Sequence, residues 1–273
     1  MTSLKGKTLF ITGASRGIGK AIALRAAREG ANIIIAAKTS EPDPRLPGTI
    51  HTAAREIHAA GGNALAVAVD IRHEQQVAHA VSLGVAEFGG IDILINNASA
   101  IGITSIPETS LKRYDLMMDI NVRGTFVCSQ LCLPHLRRSK NPHIMTLSPP
   151  IDLNAKWFVN HAAYTTSKYA MSLLVHGMAS EFRKWGIGVN ALWPRTVIAT
   201  SALNVAQAGG SHYSRTPEIM ADAAYEILTR DSRRITGNFF LDENVLRETG
   251  VTDFSKYLTV PGSEPTTDLF VDP

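Results

Sequence analysis

Short apolar runs alternate with longer amphipathic stretches along the first two hundred residues of the chain. The runs Thr8–Thr12, Asn32–Ala37, Ala64–Val69, Ile91–Asn96, His143–Leu147 and Gly188–Trp193 are rich in Val, Ile and Leu, and most lack strict polar alternation. Strands read this way when both faces of their sheet are covered. Gly17–Glu29, Pro47–Ala60, Glu74–Phe88, Leu111–Arg137 and Tyr164–Trp185 carry helical spacing. The alternation predicts an α/β fold in a single domain, a doubly wound parallel sheet with helices on both faces. Right-handed crossovers then bring the carboxyl ends of the strands to one edge, where ligands bind.

Three segments break this rhythm. Thr39–Gly48 contains Pro42, Pro44 and Pro47 and reads as a loop, with a helix expected to start near Pro47. Ile198–Thr216 is rich in Ala, Gly and Ser with weak periodicity, and is expected to be a mobile lid. From about Val251 onward the pattern is extended and irregular. With no repeat and no dividing linker, residues 1–250 form the expected domain. Residues 251–273 form an extension expected to meet a neighbouring subunit.

Composition narrows the function classes. Of 273 residues, 45% are hydrophobic and 19% charged, which argues against disorder for most of the chain. No apolar run is long enough to cross a bilayer. The opening Met1-Thr2-Ser3-Leu4-Lys5 leads straight into a strand, and the ending Phe270-Val271-Asp272-Pro273 carries no address tripeptide, so a cytoplasmic location is expected. Lys and Arg total 27 against 24 Asp and Glu, which argues for neither a nucleic-acid nor a membrane partner. Cys128 and Cys132 stand four apart in a helical stretch and read as reduced thiols, without a disulfide framework or a metal site.

The first candidate chemistry is Thr12-Gly13-Ala14-Ser15-Arg16-Gly17-Ile18-Gly19, which closes the first strand and opens the first helix. Glycines permit a tight turn and close approach to a pyrophosphate, and the helix N-terminus offers free N–H groups. In this context the string predicts a Rossmann-type dinucleotide site with Gly13, Ser15, Arg16, Gly17, Ile18 and Gly19 in its cradle. NAD readers usually place a carboxylate at the end of the second strand. Here that end reads Ala36-Ala37-Lys38-Thr39. Lys38 and Arg16 are candidate partners of a 2′-phosphate, which favours NADP over NAD; as surface cations they would be merely solvated. Asp70, followed by Ile71 after the third strand, is placed to bond the adenine amine or to cap a helix.

The most specific signal is Tyr164-Thr165-Thr166-Ser167-Lys168. A spacing of four puts the phenol and the ammonium on one helix face, where the cation would lower the phenol pKa. Such a tyrosine can protonate a carbonyl oxygen as hydride arrives, or deprotonate an alcohol in reverse.

Together, Thr12-Gly13-x-x-x-Gly17-x-Gly19, Asn96-Asn97-Ala98, Asn121 and Tyr164-x-x-x-Lys168 resemble the short-chain dehydrogenase/reductase family, over roughly residues 5–242. The stretches Leu46–Ala54, Leu147–Pro150, Asn190–Pro194 and Thr236–Phe239 look still closer to one member type. The resemblance implies Tyr164 as the acid/base and Lys168 as the residue that bonds the nicotinamide ribose. It implies Asn121 as the holder of a relay water, Asn97 beside the adenosine ribose, and Pro194 and Val197 flanking the nicotinamide amide. It further implies a homodimer or homotetramer, for which Leu131, Leu133, Met171, Leu174 and Met178 are the expected outward apolar positions.

Departures stand beside these matches. The family's substrate-bonding serine falls at Pro149, which has no proton to donate, so Ser148 is the candidate substitute. Arg195 and Ser99 occupy usual glycine positions, and Leu241-Asp242-Glu243-Asn244 replaces a common Asp-Gly-Gly. Trp157, Phe158 and Trp193, with the insert Ile151–His161, are expected to make an apolar substrate wall or a packing cluster. The leading expectation is an NADP-dependent oxidoreductase acting on a small carbonyl or alcohol. The alternative is a non-catalytic NADP(H)-binding module, which the displaced serine favours.

Overall fold

The computed structural model describes residues 3–44, 46–201 and 213–272. Seven parallel strands form one sheet in the order β3-β2-β1-β4-β5-β6-β7. They are β1 (Thr8–Thr12), β2 (Asn32–Ala37), β3 (Asn63–Ala68), β4 (Ile93–Asn96), β5 (His143–Thr146), β6 (Gly188–Trp193) and β7 (Phe239–Leu241). The direction of winding reverses between β1 and β4, which opens a crevice at their carboxyl ends. β1, β4, β5 and β6 are buried along their whole length, which accounts for their unbroken apolar sequence.

The helices cover both faces. They are α1 (Gly17–Ala27), α2 (Ile50–Ala59), α3 (Glu74–Phe88), α4 (Leu111–Met117), α5 (Thr125–Leu136), α6 (Ala162–Glu181), α7 (Glu218–Leu228) and α8 (Asp242–Glu248). One apolar core joins α1, α2, α7 and α8 to the sheet; a second joins α3, α5 and α6 to its other face. β7, α7 and α8 complete these layers beyond the region where strand and helix alternate plainly in sequence.

Local chemistry shifts several boundaries. α2 starts at Ile50 rather than Pro47, because Thr49 caps it: its hydroxyl accepts from Thr52 N–H at 3.1 Å while the Thr52 hydroxyl accepts from Thr49 N–H at 2.8 Å. The expected helix Leu111–Arg137 is interrupted by a π-helical turn, Met118–Gly124, which carries Asn121. Such turns often sit at functional sites. The helix expected to end at Trp185 gives way at Phe182 to a 3₁₀ turn that stops at Gly186, φ 70°.

Most of the expected lid, Ile198–Thr216, lies outside the described residues. Met171 and Met178, expected to face outward, are buried within their own chain, whereas Phe126 and Leu173 stand exposed. Both cysteines are free and buried, and burial pushes the Cys128 thiol up to about 12. Among the described residues no helix is long and apolar enough to cross a membrane, and no cluster of side chains could hold a metal ion.

Candidate active site

A cavity of about 870 Å³ runs along the carboxyl edge of the sheet, from the Gly13–Ile18 turn to Tyr164 and Lys168. Of the expected cofactor residues, Gly13, Ser15, Arg16, Gly17, Ile18, Lys38, Asp70, Ile71, Asn97, Pro194 and Val197 line it as well. Gly19 does not, because its part is to admit the turn's packing. The Asn97 side chain donates to Thr12 O at 2.8 Å and Gly13 O at 3.2 Å, while the Thr12 hydroxyl accepts from the N–H groups of Asn97 and Ala98, each at 3.0 Å. A Cβ on Gly19 would stand 2.5 Å from Asn97 Nδ2. Asn97 therefore fastens the crevice shut beneath the cradle.

The cradle fits a dinucleotide's phosphates. Gly13 and Gly17 hold φ 68° and 58°, which favours glycine. α1 begins without a side-chain cap and without an acidic residue in its first turn, so its leading N–H groups are open to an anion.

The adenosine end differs in detail from expectation. The Arg16 fork is committed to the proline-rich loop: Nη2 donates to Leu46 O at 3.1 Å and Gly48 O at 2.6 Å, and Nε to Pro47 O at 3.1 Å. Gly48, φ 100°, lets that loop pass so close to Ser15 O that a Cβ would stand 2.8 Å from it. Arg16 thus holds a wall of the site rather than standing free for a phosphate. Lys38 is the freer cation, its side chain 75% exposed and 3.9 Å from Asp70. Asp70 is gripped by Arg72 at 2.6 Å, and that hydrogen bond draws its carboxyl down to about 2. The Asp70 carboxylate is therefore largely engaged before any adenine arrives.

At the reacting end, Tyr164 and Lys168 project from one face of α6. Lys168 Nζ donates to Leu147 O at 2.5 Å and lies 4.9 Å from the Trp193 ring centre. Burial draws the Lys168 ammonium down to about 7. Burial, with the Asp268 carboxylate nearby, pushes the Tyr164 phenol up rather than down, opposite to the sequence expectation. The phenol is therefore a proton donor at neutral pH.

Asn121 and Ser148 do not line the cavity. The Asn121 amide is spent on structure: Oδ1 accepts from Ala100 N–H at 2.7 Å, and Nδ2 donates to Ala100 O at 3.0 Å and Ser167 Oγ at 2.9 Å. Asn121 ties the π-helical turn to the cavity wall and to α6. Ser148 is fully buried, and its hydroxyl has no hydrogen-bond partner among the described residues. The preceding Leu147 lines the cavity.

The short chain dehydrogenase family model matches residues 7–208. The chain belongs to the short-chain dehydrogenase family. Among curated relatives, hydroxysteroid dehydrogenase-like protein 2 of Danio rerio is 56% identical over 272 residues, covering 98% of this chain and 65% of that protein. The Homo sapiens protein of the same name is 54% identical over 270 residues, covering 98% and 64%. The chain spans less than two thirds of the length of these relatives. A short chain dehydrogenase from Mycobacterium thermoresistibile superposes with TM-score 0.93 at 54% identity, covering 99% of this chain and 96% of that one. More distant structures include a Mycobacterium paratuberculosis short chain dehydrogenase bound to NAD, at TM-score 0.74 and 26% identity, with coverage of 88% and 97%. A metagenomic short-chain oxidoreductase in complex with NADP matches at TM-score 0.72 and 26% identity, with coverage of 88% and 98%.

In this short-chain dehydrogenase the segment after Val251 runs over its own chain's cavity. Val197 N–H donates to Thr266 O at 2.9 Å, Asp268 N–H to Arg195 O at 3.0 Å, and Trp193 Nε1 to Leu269 O at 2.8 Å. Thr266–Leu269 and Val271 line the cavity, and Phe270 packs its ring among Trp157, His161, Tyr164, Tyr169 and Trp193. The sequence signal for this strap is the apolar trio Leu269-Phe270-Val271 in an otherwise polar tail. Of the aromatics expected to face substrate, Trp157 and Trp193 line the cavity, whereas Phe158 packs edge-on against Tyr169.

Proposed function

We propose that the chain is an NADP-dependent oxidoreductase that moves a hydride between nicotinamide and a small, largely apolar carbonyl or alcohol. The observation that carries this reading is a single cavity joining an uncapped glycine-rich helix start to Tyr164 and Lys168. A bound dinucleotide would supply the hydride. The cradle would hold its phosphates, and Lys168 would orient its nicotinamide ribose. Tyr164, held protonated by its surroundings, donates the proton to oxygen, which suits the site to carbonyl reduction.

The preference for NADP is supported by the β2 end, where Ala36, Ala37, Lys38 and Thr39 offer a cation and no carboxylate. Ala100, Ile101, Leu116, Ile120, Trp157 and Leu269 make the far wall apolar, which supports an apolar substrate. The exposed Phe126 and Leu173 support assembly with a second copy, as a homodimer or homotetramer.

A second reading, a non-catalytic NADP(H)-binding module, draws on the absence of Ser148 and Pro149 from the cavity wall. NADPH consumption across a panel of aldehydes and ketones, measured beside NADPH binding by fluorescence, separates the two. Turnover of any carbonyl supports the enzyme. Tight binding with no turnover of any of them supports the module.

A further inference from the structure

Neither Ser148 nor Pro149, the positions after β5, lines the cavity. Leu147 lines the wall, Pro149 has no proton to give, and the Ser148 hydroxyl is buried. The strap brings another group to the same end of the cavity. Asp268 lines the cavity with Tyr164 and Lys168, and Phe270, two residues on, packs against the Tyr164 ring with centroids 6.2 Å apart. Its placement is well fixed. Its own N–H is bonded to Arg195 O, Leu269 N–H donates to Oδ1 at 2.6 Å, and the flanking Thr267 pairs with Thr196 in an antiparallel bridge. Oδ2 makes no hydrogen bond to a described residue, and Asp268 forms no ion pair within 4 Å among them.

We propose that Asp268 is a further catalytic residue, whose protonated carboxyl donates a hydrogen bond to the substrate carbonyl oxygen beside the Tyr164 phenol. The proposal rests on the oxidoreductase reading above. In the reductive direction hydride reaches the carbonyl carbon and the carbonyl π pair moves onto oxygen. The Tyr164 phenol gives that oxygen its proton. Asp268 keeps its own proton throughout and stabilises the developing charge.

The surroundings favour a proton there. Burial pushes the Asp268 carboxyl up to about 7. Asp242 at the start of α8 pushes the same way, while Lys168 of α6 and the Leu269 N–H pull against it. Tyr164 of α6 and the main chain of Arg195 after β6 complete the polar groups around it. A neutral carboxylic acid placed to donate to an oxyanion is a known catalytic device.

The test compares Asp268→Ala, Asp268→Asn and Glu264→Gln with the wild type in NADPH oxidation, with NADPH affinity measured by fluorescence. Asp268→Ala is expected to lower kcat about 10²–10³-fold with NADPH affinity unchanged, the usual loss for one such donor. Asp268→Asn keeps an N–H donor and is expected to stay within about tenfold of wild type. The wild-type rate should fall as pH rises through about 7, where the acid loses its proton, and the Asn variant should show a shallower fall, left by Lys168 alone. Glu264→Gln, which changes an exposed carboxylate of the same tail away from the cavity wall, should behave as wild type. Independently of turnover, the wild-type minus Asp268→Asn infrared difference should contain one protonated-carboxyl stretch that titrates near pH 7, apart from the Asp242 band common to both proteins. An active Asp268→Ala, an Asn variant as impaired as Ala, a Glu264→Gln as impaired as Asp268→Ala, or a carboxyl ionised throughout this range overturns the proposal. A wild-type protein that reduces no carbonyl overturns the oxidoreductase reading with it, which distinguishes the two failures.

Discussion

The side-chain amide of Asn97 occupies the space that a Cβ on Gly19 would need, its Nδ2 standing 2.5 Å from that position. Two strand ends and the first helix therefore meet through one amide. Gly19→Ala must displace either the amide or the cradle backbone. We expect it to cost about 1–3 kcal/mol of stability, the scale of lost buried hydrogen bonds, and to weaken NADPH binding. Thermal unfolding and a fluorescence titration check both. An Ala variant with unchanged melting and affinity would show that the amide moves aside freely.

Lys38→Asp is expected to move preference from NADPH toward NADH. It deletes the exposed cation near the β2 end and supplies an acceptor for a ribose hydroxyl. One charge-assisted contact is worth roughly 1.5–3 kcal/mol, or about one to two decades in affinity. Arg16→Ala is expected to act differently. Because Arg16 bonds the carbonyls of Leu46, Pro47 and Gly48, its loss loosens a wall of the site and weakens both dinucleotides by similar factors. Affinities of the two variants for both nucleotides decide the matter.

Asp242 gives the protein a pH signature. It is buried, accepts from the N–H groups of Arg195 at 2.9 Å and Glu243 at 2.7 Å, and burial pushes its carboxyl up to about 6 from an ordinary 3.8. A carboxyl raised in the folded state contributes stability fully present below its unfolded pKa, and this is lost as pH rises through the folded one. Two units correspond to about 3 kcal/mol. Asp242→Asn removes that titration, so its stability relative to wild type should improve as pH rises from about 4 to 7. Denaturant unfolding at several pH values measures it. Parallel curves for the two proteins would contradict the account.

Phe270 holds φ 71°, a left-handed conformation that a bulky side chain rarely adopts. Its ring contacts hold it there, with centroids 5.4 Å from Tyr169, 5.8 Å from Trp193 and 6.2 Å from Tyr164. Phe270→Ala is expected to cost about 3–5 kcal/mol and to expose Tyr164. Thermal melting and tryptophan fluorescence report both, and a loss under about 1 kcal/mol would detach the strap from the protein's stability.

The sheet was legible because its central strands are unbroken apolar runs covered on both faces, and β1, β2 and β6 match their predicted bounds. The phosphate cradle was legible because glycine spacing reports a backbone requirement directly. Other features depend on tertiary contacts that leave little local trace. The turn at Asn121 is set by a clamp on Ala100, and the helical spacing on either side of it reads straight through. In sequence Arg16 reads as a phosphate ligand, because its loop partners are carbonyls, which every residue carries. The place of Asp268 beside Lys168 depends on a tail whose sequence is irregular and whose position is fixed by Trp193 and Arg195.

The most direct measurement is steady-state carbonyl reduction by Tyr164→Phe, with NADPH affinity determined on the same sample. Loss of the phenol proton donor should reduce kcat about 10²–10⁴-fold. The ring remains to pack against Phe270, so NADPH should bind with wild-type affinity. Turnover within a few-fold of wild type would remove Tyr164 from the chemistry and contradict the account.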